Sequence, residues 1–498
     1  MALAMTAALA QAFGATLTVT NLADSGPGTL RDRIAAAAPG DTVTFGVLGT
    51  VLLNSELVIS KSMNVYGYGG GLAGVSGNHS SRVFNLTSGS IIFLNLAIID
   101  GRVVGTNGAA GHNGQDVYGG GVLIANGASV LMLECMVSNN VVMGGQPGTG
   151  TSGGNGSGGG LGNLGTLSLN TCLVVSNYAL GGSGGAVGGG GQGYGGGLYT
   201  DGSLDVPGST IYGNIATGAP GGGGNGSGAG GGIYINSGTT TISSSTIISN
   251  SAASLGPDSG GGIQNYGTLT IRDSTIVGNQ ADVGGGITGG NIFNTILAGN
   301  SAGTGSDGSG NITSSDYNLI QNTSGITFSG TTTHNITGLD PKLGPLRFNY
   351  GQALSFDLLI LAPLPGSSVI DQGKNFYVSD QRGFSRPYDT LLLNTAGGNG
   401  ADIGAVELHP GTLTVANTND SGAGSLRQAL ADNAGLGGSN TIVFSNTVIG
   451  TITLSSGELT VPVGGRSQSS APAPTCCRSV PIISAVYSTF GTLPKSRG

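Results

Sequence analysis

The sequence predicts an all-β protein: a single-stranded, right-handed parallel β-helix with a short N-terminal capping helix. Three observations carry this. A triple glycine recurs at Gly119, Gly158, Gly195, Gly230, Gly260 and Gly284. Each copy opens the same unit: a short apolar strand, a turn of Asn, Asp or Ser with Gly, an alternating strand, then a third strand closing on asparagine. The stretches between units shrink from 143–157 through 180–194, 217–229 and 253–259 to 282–283, while the unit stays near constant. A solenoid tolerates insertions at one corner because a loop there disturbs no neighbour contact.

The unit explains itself piece by piece. Side chains alternate along a strand, so Leu167/Leu169, Leu204/Val206, Thr240/Ile242 and Leu269/Ile271 share one face, and Leu131/Leu133 are expected to join them. No rung can bury that face alone; stacking rungs makes the core continuous. Glycine corners permit sharp turns and close approach of successive rungs. The closing asparagines, Asn139, Asn177, Asn214, Asn250, Asn279 and Asn300, are expected in left-handed turns, passing amide hydrogen bonds along the stack. Parallel crossovers favour the right hand. Cys135 and Cys172 fall in the third strands of successive units, where Ser209, Ser245 and Ser274 follow. This reads as a column of small buried residues, and adjacent rungs would also permit a disulfide.

Composition bounds the partners. The chain has 498 residues, 100 of them glycine, about three times the usual share. With 17 prolines and no Gly-X-Y period read among the glycines, collagen is excluded, and 38% hydrophobic residues argue against disorder. Only 8% are charged, the formal net charge is −8, and no Lys/Arg cluster offers a face for nucleic acid. No apolar run reaches membrane-spanning length. The glycine-rich inserts carry little to bury and are expected to be mobile.

Residues 1–14 resemble the end of a secretory leader without its basic start. Residues 15–60 form an N-terminal cap, in which Thr29 caps a helix with Leu30, Ile34 and Ala37-Ala38 as its apolar stripe, ended by Pro39-Gly40. Residues 61–302 hold the rungs and 303–410 the C-terminal end of the β-helix. Residues 411–461 begin a second unit, because "LTVANTNDSGAGSLRQALADN" restates the first cap: Asp24-Ser25-Gly26 returns as Asp420-Ser421-Gly422, and Leu30-Arg31 as Leu426-Arg427. Residues 462–498, with four basic and no acidic residues, show no rung pattern and read as a disordered or frameshifted tail.

The stretch before the second cap carries Gly366-Ser367-Ser368-Val369-Ile370-Asp371, Asp380-Gln381-Arg382-Gly383-Phe384 and Asp402-Ile403-Gly404-Ala405-Val406-Glu407. With the cap words and the rungs, these resemble the choice-of-anchor Q proteins of bacterial surfaces, over about residues 15–410. The rungs alone are loosely similar to polymorphic outer-membrane repeats. The resemblance implies secretion and display at the cell surface, and it implies no chemistry.

The β-helix also carries pectate-lyase-like enzymes, which need clustered or paired carboxylates and a base. Residues 119–300 hold Glu134, Asp201, Asp205, Asp258, Asp273, Asp282 and one base, Arg272. Asp201 reads as a turn former, Asp205 as an outward residue, and Arg272-Asp273 as a solvated pair. Asp371, Asp380, Arg382, Arg386, Asp402 and Glu407 have a functional reading, a metal or glycan site, and a structural one, taken here, in which Arg382 or Arg386 pairs with the acids to lock the irregular C-terminal end. Tyr199 and Tyr234, one rung apart and outward, are the candidate glycan contacts, or a packing column. The four histidines stand apart, and no catalytic, cofactor or metal residue is assigned. The sequence thus predicts an extracellular scaffold, adhesin-like and non-catalytic, whose partner is surface polysaccharide or the cell envelope. The alternative is a polysaccharide-processing β-helix or a glycan-binding module.

Overall fold

A computed structural model describes residues 14–68, 71–348, 358–364, 366–389, 392–409, 412–422, 424–436, 441–445, 448, 450–459 and 468–470. The leader-like start and nearly all of the tail lie outside these residues. The chain divides into two compact units, 1–363 with 367–407, and 364–366 with 408–498.

The first unit is a right-handed parallel β-helix. One rung shows the plan. Leu198–Thr200 and Ser203–Pro207 lie in a 19-stranded sheet, Thr210–Tyr212 in an 11-stranded one, Ile215–Thr217 and Gly228–Ala229 in two smaller ones. The next rung pairs in register, Leu198 on Ile233, Ile211 on Ile247 and Ala216 on Ala252. Like meets like along the core: Phe84, Val122, Leu161, Leu198, Ile233, Ile263 and Ile287 form one column, all fully buried. Each such side chain contributes about 1.5–3 kcal/mol by leaving water. The cap helix, Leu30–Ala36, begins at Thr29, whose hydroxyl accepts from the Asp32 N–H. It buries Leu30 and Ile34, and Ala37 just beyond its end, but leaves Ala38 exposed.

Two columns sit one residue from where the spacing placed them. Val130 and Met132, not Leu131 and Leu133, pair with Leu167 and Leu169 and enter the core. The asparagine ladder starts at Asn140, not Asn139, and runs through Asn177, Asn214, Asn250, Asn279 and Asn300 to Asp307. Asn140 Oδ1 accepts the Gly101 N–H, and from Asn177 onward each amide oxygen accepts both the backbone and the side-chain N–H of the preceding asparagine. The left-handed position belongs to the residue before, as at Asn139 (φ 57°) and Gly213 (φ 62°). Cys135 and Cys172 are both fully buried free thiols in one column, continued by Ser209, Ser245 and Ser274.

The inserts are ordered, against expectation. Gly105/108/111/114 and Gly182/185/188/191 repeat every third residue, and each stretch doubles back on itself, the first at a turn where Gly111 has φ 77° and the His112 N–H donates to the Ala109 carbonyl. The arms satisfy their backbone laterally: Gly154 N–H donates to the Gly145 carbonyl, Gly182 to Gly154 and Gly191 to Gly182 (2.8–2.9 Å). A Cβ on Gly188 would overlap the Thr151 carbonyl oxygen, so glycine is what lets these chains touch. The inserts bury little apolar surface; backbone hydrogen bonding orders them instead.

In the second unit the cap geometry returns: Thr412–Val415, a helix at Leu426–Leu436, then Thr441–Phe444 parallel to the first strand. Arg427 meets Asp420 at 2.7 Å as Arg31 meets Asp24 at 2.7 Å. Gln468–Ser470 adds a third strand inside the stretch read as patternless.

Candidate functional site

The C-terminal motifs form an irregular strap, described over residues 367–389 and 392–407, lying on the outer face of the 11-stranded sheet. Outward threonines of that sheet give it purchase. Gln381 Nε2 donates to Thr210 Oγ1 (2.8 Å), Thr246 Oγ1 donates to Gln381 Oε1 (2.6 Å), and Ala405 N–H donates to Thr275 Oγ1 (3.0 Å). All three threonines are buried.

The six charged residues of the motifs converge beneath this strap, none more than 4% exposed. Arg382 pairs with Asp380 at 2.7 Å, and Arg386 with Glu407 at 2.9 Å. Asp402 Oδ1 accepts the Asp371 N–H. Asp380 also accepts the N–H groups of Arg382, Phe384 and Glu407. Burial pushes the Glu407 carboxyl up against the opposing pull of Arg386. Asp380 and Glu407 thus spend their carboxylate oxygens on N–H groups within the chain.

Arg272 and Asp273 do not form a solvated pair. Asp273, in a left-handed turn (φ 47°), is fully buried and accepts from Asn294 Nδ2 and from the Phe376 and Tyr377 N–H groups. Its cationic neighbour is Arg386 at 3.7 Å. The turn points the two side chains apart, and Arg272 lies instead over the Phe376 ring, 4.2 Å from its centre.

The tyrosines gather on another face. Tyr199 and Tyr234 stack at 5.5 Å with planes 7° apart, 6% and 7% exposed. They belong to a cluster the spacing did not reveal. Gly162 occupies the column position of Tyr199 one rung earlier, and the Tyr118 ring meets Tyr199 beside that vacancy at 5.4 Å. Tyr194 meets Tyr234 at 4.5 Å, and Tyr266, 65% exposed, lies 5.8 Å from Tyr234. The words "VYGGG" and "GYGGGLY" carried the signal, a tyrosine before the corner in each. Packing fills the outer positions of Tyr199 and Tyr234, so Tyr266 offers the accessible ring.

Asp201 links this cluster to an open trough of ≈ 650 Å³ bordered by Asn126, Ser129, Thr166, Asp201 and Gly202. Tyr199 donates its hydroxyl to Asp201 Oδ2 (2.8 Å), and Asn236 Nδ2 donates to Asp201 Oδ1 (2.6 Å). Burial, then the Asp201 bond, raises the Tyr199 phenol far above its ordinary range; burial does the same for Tyr234. Both stay protonated, fit to stack and donate rather than to act as bases.

No family model matches the sequence, and no curated protein matches it. Among solved structures, the chain is similar to the pectate lyase Pel9A, with a TM-score of 0.41 and 15% identity over 79% of this chain and 97% of that one. It is also similar to the PL6 family alginate lyase AlyGC, with a TM-score of 0.26 and 12% identity over 86% and 64%. At these scores neither neighbour assigns a residue or a reaction to this chain. Among the described residues, no helix is long and apolar enough to cross a membrane.

Proposed function

We propose that this protein is a secreted or surface-displayed β-helical scaffold that holds polysaccharide on its tyrosine face without cleaving it. The observation that supports this most is the joining of an accessible ring, Tyr266, to the polar trough through the buried tyrosine stack and Asp201. An apolar ring face beside hydroxyl, amide and carboxylate groups suits a sugar, which is itself apolar on its faces and polar at its edges. The burial of the C-terminal charges fits a structural lock, and the resemblance to choice-of-anchor Q proteins fits display at an envelope.

A second reading, polysaccharide processing, draws on Asp205. It lies four residues beyond Asp201, projects outward, and burial raises its carboxyl. A raised carboxyl is what a general acid in glycan cleavage requires.

Incubation with a panel of acidic and neutral polysaccharides separates the two. Binding without new reducing or unsaturated ends, lost in Tyr266→Ala, supports the scaffold reading. Products abolished by Asp205→Asn would replace it with the second. Absence of binding across the panel overturns both.

A further inference from the structure

The chain has only 16 Lys and Arg, and several are committed to carboxylates. Two that are not meet on one surface. Arg272 and Lys374 have no carboxylate within 4.0 Å among the described residues, and both lie against aromatic rings. Arg272 covers Phe376 at 4.2 Å, and the Lys374 ammonium sits 5.9 Å from the centre of Tyr317. The rings connect the cations. Phe293 is the register partner of Arg272 in the next rung and meets Tyr317 edge-on at 6.2 Å. His334 stacks on Tyr317 at 4.8 Å with planes 7° apart.

The local acids are turned away from this surface. Asp273 is buried against Arg386 and the strap backbone. Asp316 accepts the His334 N–H and bonds its Nδ1, both at 2.7 Å. What remains outside is cationic and aromatic, and Phe376 is 55% exposed. On a protein of net charge −8 this is an unusual local sign.

We propose that Arg272, Lys374 and Phe376 form a binding site for an anionic saccharide, a sugar ring bearing carboxylate or sulfate. The guanidinium and ammonium would take the anionic group, and the exposed ring the sugar face. The inference rests on the polysaccharide reading above but names different residues, so the two can fail separately.

The test is calorimetric titration of the full chain with oligogalacturonate, a sulfated galactan oligomer and a neutral galacto-oligosaccharide. Either anionic probe should bind, and binding should weaken steeply as salt is raised. Arg272→Gln with Lys374→Gln should cost about tenfold or more in affinity for that probe, since each charge-assisted contact is of that order. Neutral-sugar binding should be unchanged, and Tyr266→Ala should show the reverse pattern. Phe376→Ala, which leaves both cations in place, should also weaken the anionic probe and serves as an independent check on the site. Failure of both anionic probes to bind, or an affinity untouched by the double substitution, overturns the proposal. So does an equal loss for the neutral sugar.

Discussion

Replacing Asn214 by alanine tests what holds the rungs together. The side chain is fully buried and makes four hydrogen bonds. Its Oδ1 accepts from the Asn177 backbone N–H (3.0 Å) and Nδ2 (2.9 Å), while its Nδ2 donates to the Val174 carbonyl (3.0 Å) and Asn250 Oδ1 (2.9 Å). Truncation orphans the Asn177 N–H, at about 1–3 kcal/mol, and removes one bond each from Val174 and Asn250 at about 1 kcal/mol apiece. The expected loss is therefore about 3–5 kcal/mol. Urea denaturation followed by circular dichroism reads it, with Asn225→Ala on an exposed insert position as the control. Asn214→Asp sharpens the test, because its second oxygen faces two acceptors. The buried carboxyl's folded pKa rises above the unfolded ~3.9. Stability is then retained at low pH and lost as pH climbs through the folded pKa. A cost no greater than that of Asn225→Ala, or a flat pH profile for Asn214→Asp, would refute the ladder as a stabilising element.

Other outcomes follow from the same geometry. Arg386→Leu leaves Glu407 and Asp273 buried without their cation and should cost about 3–5 kcal/mol, releasing residues 367–407 to limited proteolysis. Arg386→Leu with Glu407→Leu should recover part of that loss. Gly188→Ala should abolish hydrogen-exchange protection in the inserts around Thr151, while wild-type inserts exchange slowly. In the second unit, Arg427 first, then Ser456, holds the Asp420 carboxyl well below the usual carboxylate range. That stabilisation is present above the unfolded pKa near 4 and lost as pH falls below it, so hydrogen-exchange protection factors, taken relative to the intrinsic rate at each pH, should fall in acid over Thr412–Val415 and Leu426–Leu436. Asp420→Asn should flatten that dependence.

Much of the architecture was legible because a solenoid repeats its own instructions. The triple glycines marked the corners, the shrinking inserts marked the tolerant one, and "DSGPGTLR" marked a cap that returned as "DSGAGSLR". Phase was harder to read. In "SVLMLE" both faces of the strand are apolar, so alternation alone does not say whether Val130 or Leu131 turns inward. Neighbouring rungs fix it by pairing Val130 with Leu167. The paired Asn139-Asn140 posed the same ambiguity, and the left-handed turn took the first residue. The inserts looked mobile because their lack of apolar side chains was visible, whereas lateral backbone hydrogen bonding within and between them, as from Gly191 to Gly182 and from Gly182 to Gly154, was not.

What the sequence determined by itself is the rung: which residue types recur, at what interval, and therefore that the chain must coil on itself to bury them. Tertiary structure alone decided which charges are spent and which are free. Asp273 is adjacent to Arg272 in the chain yet lies against Arg386, 113 positions away, while Arg272 lies over the Phe376 ring, the two parting at the left-handed turn of Asp273. Electrostatic partnership depends on distance through space, and one-dimensional spacing carries that information only where the structure is periodic.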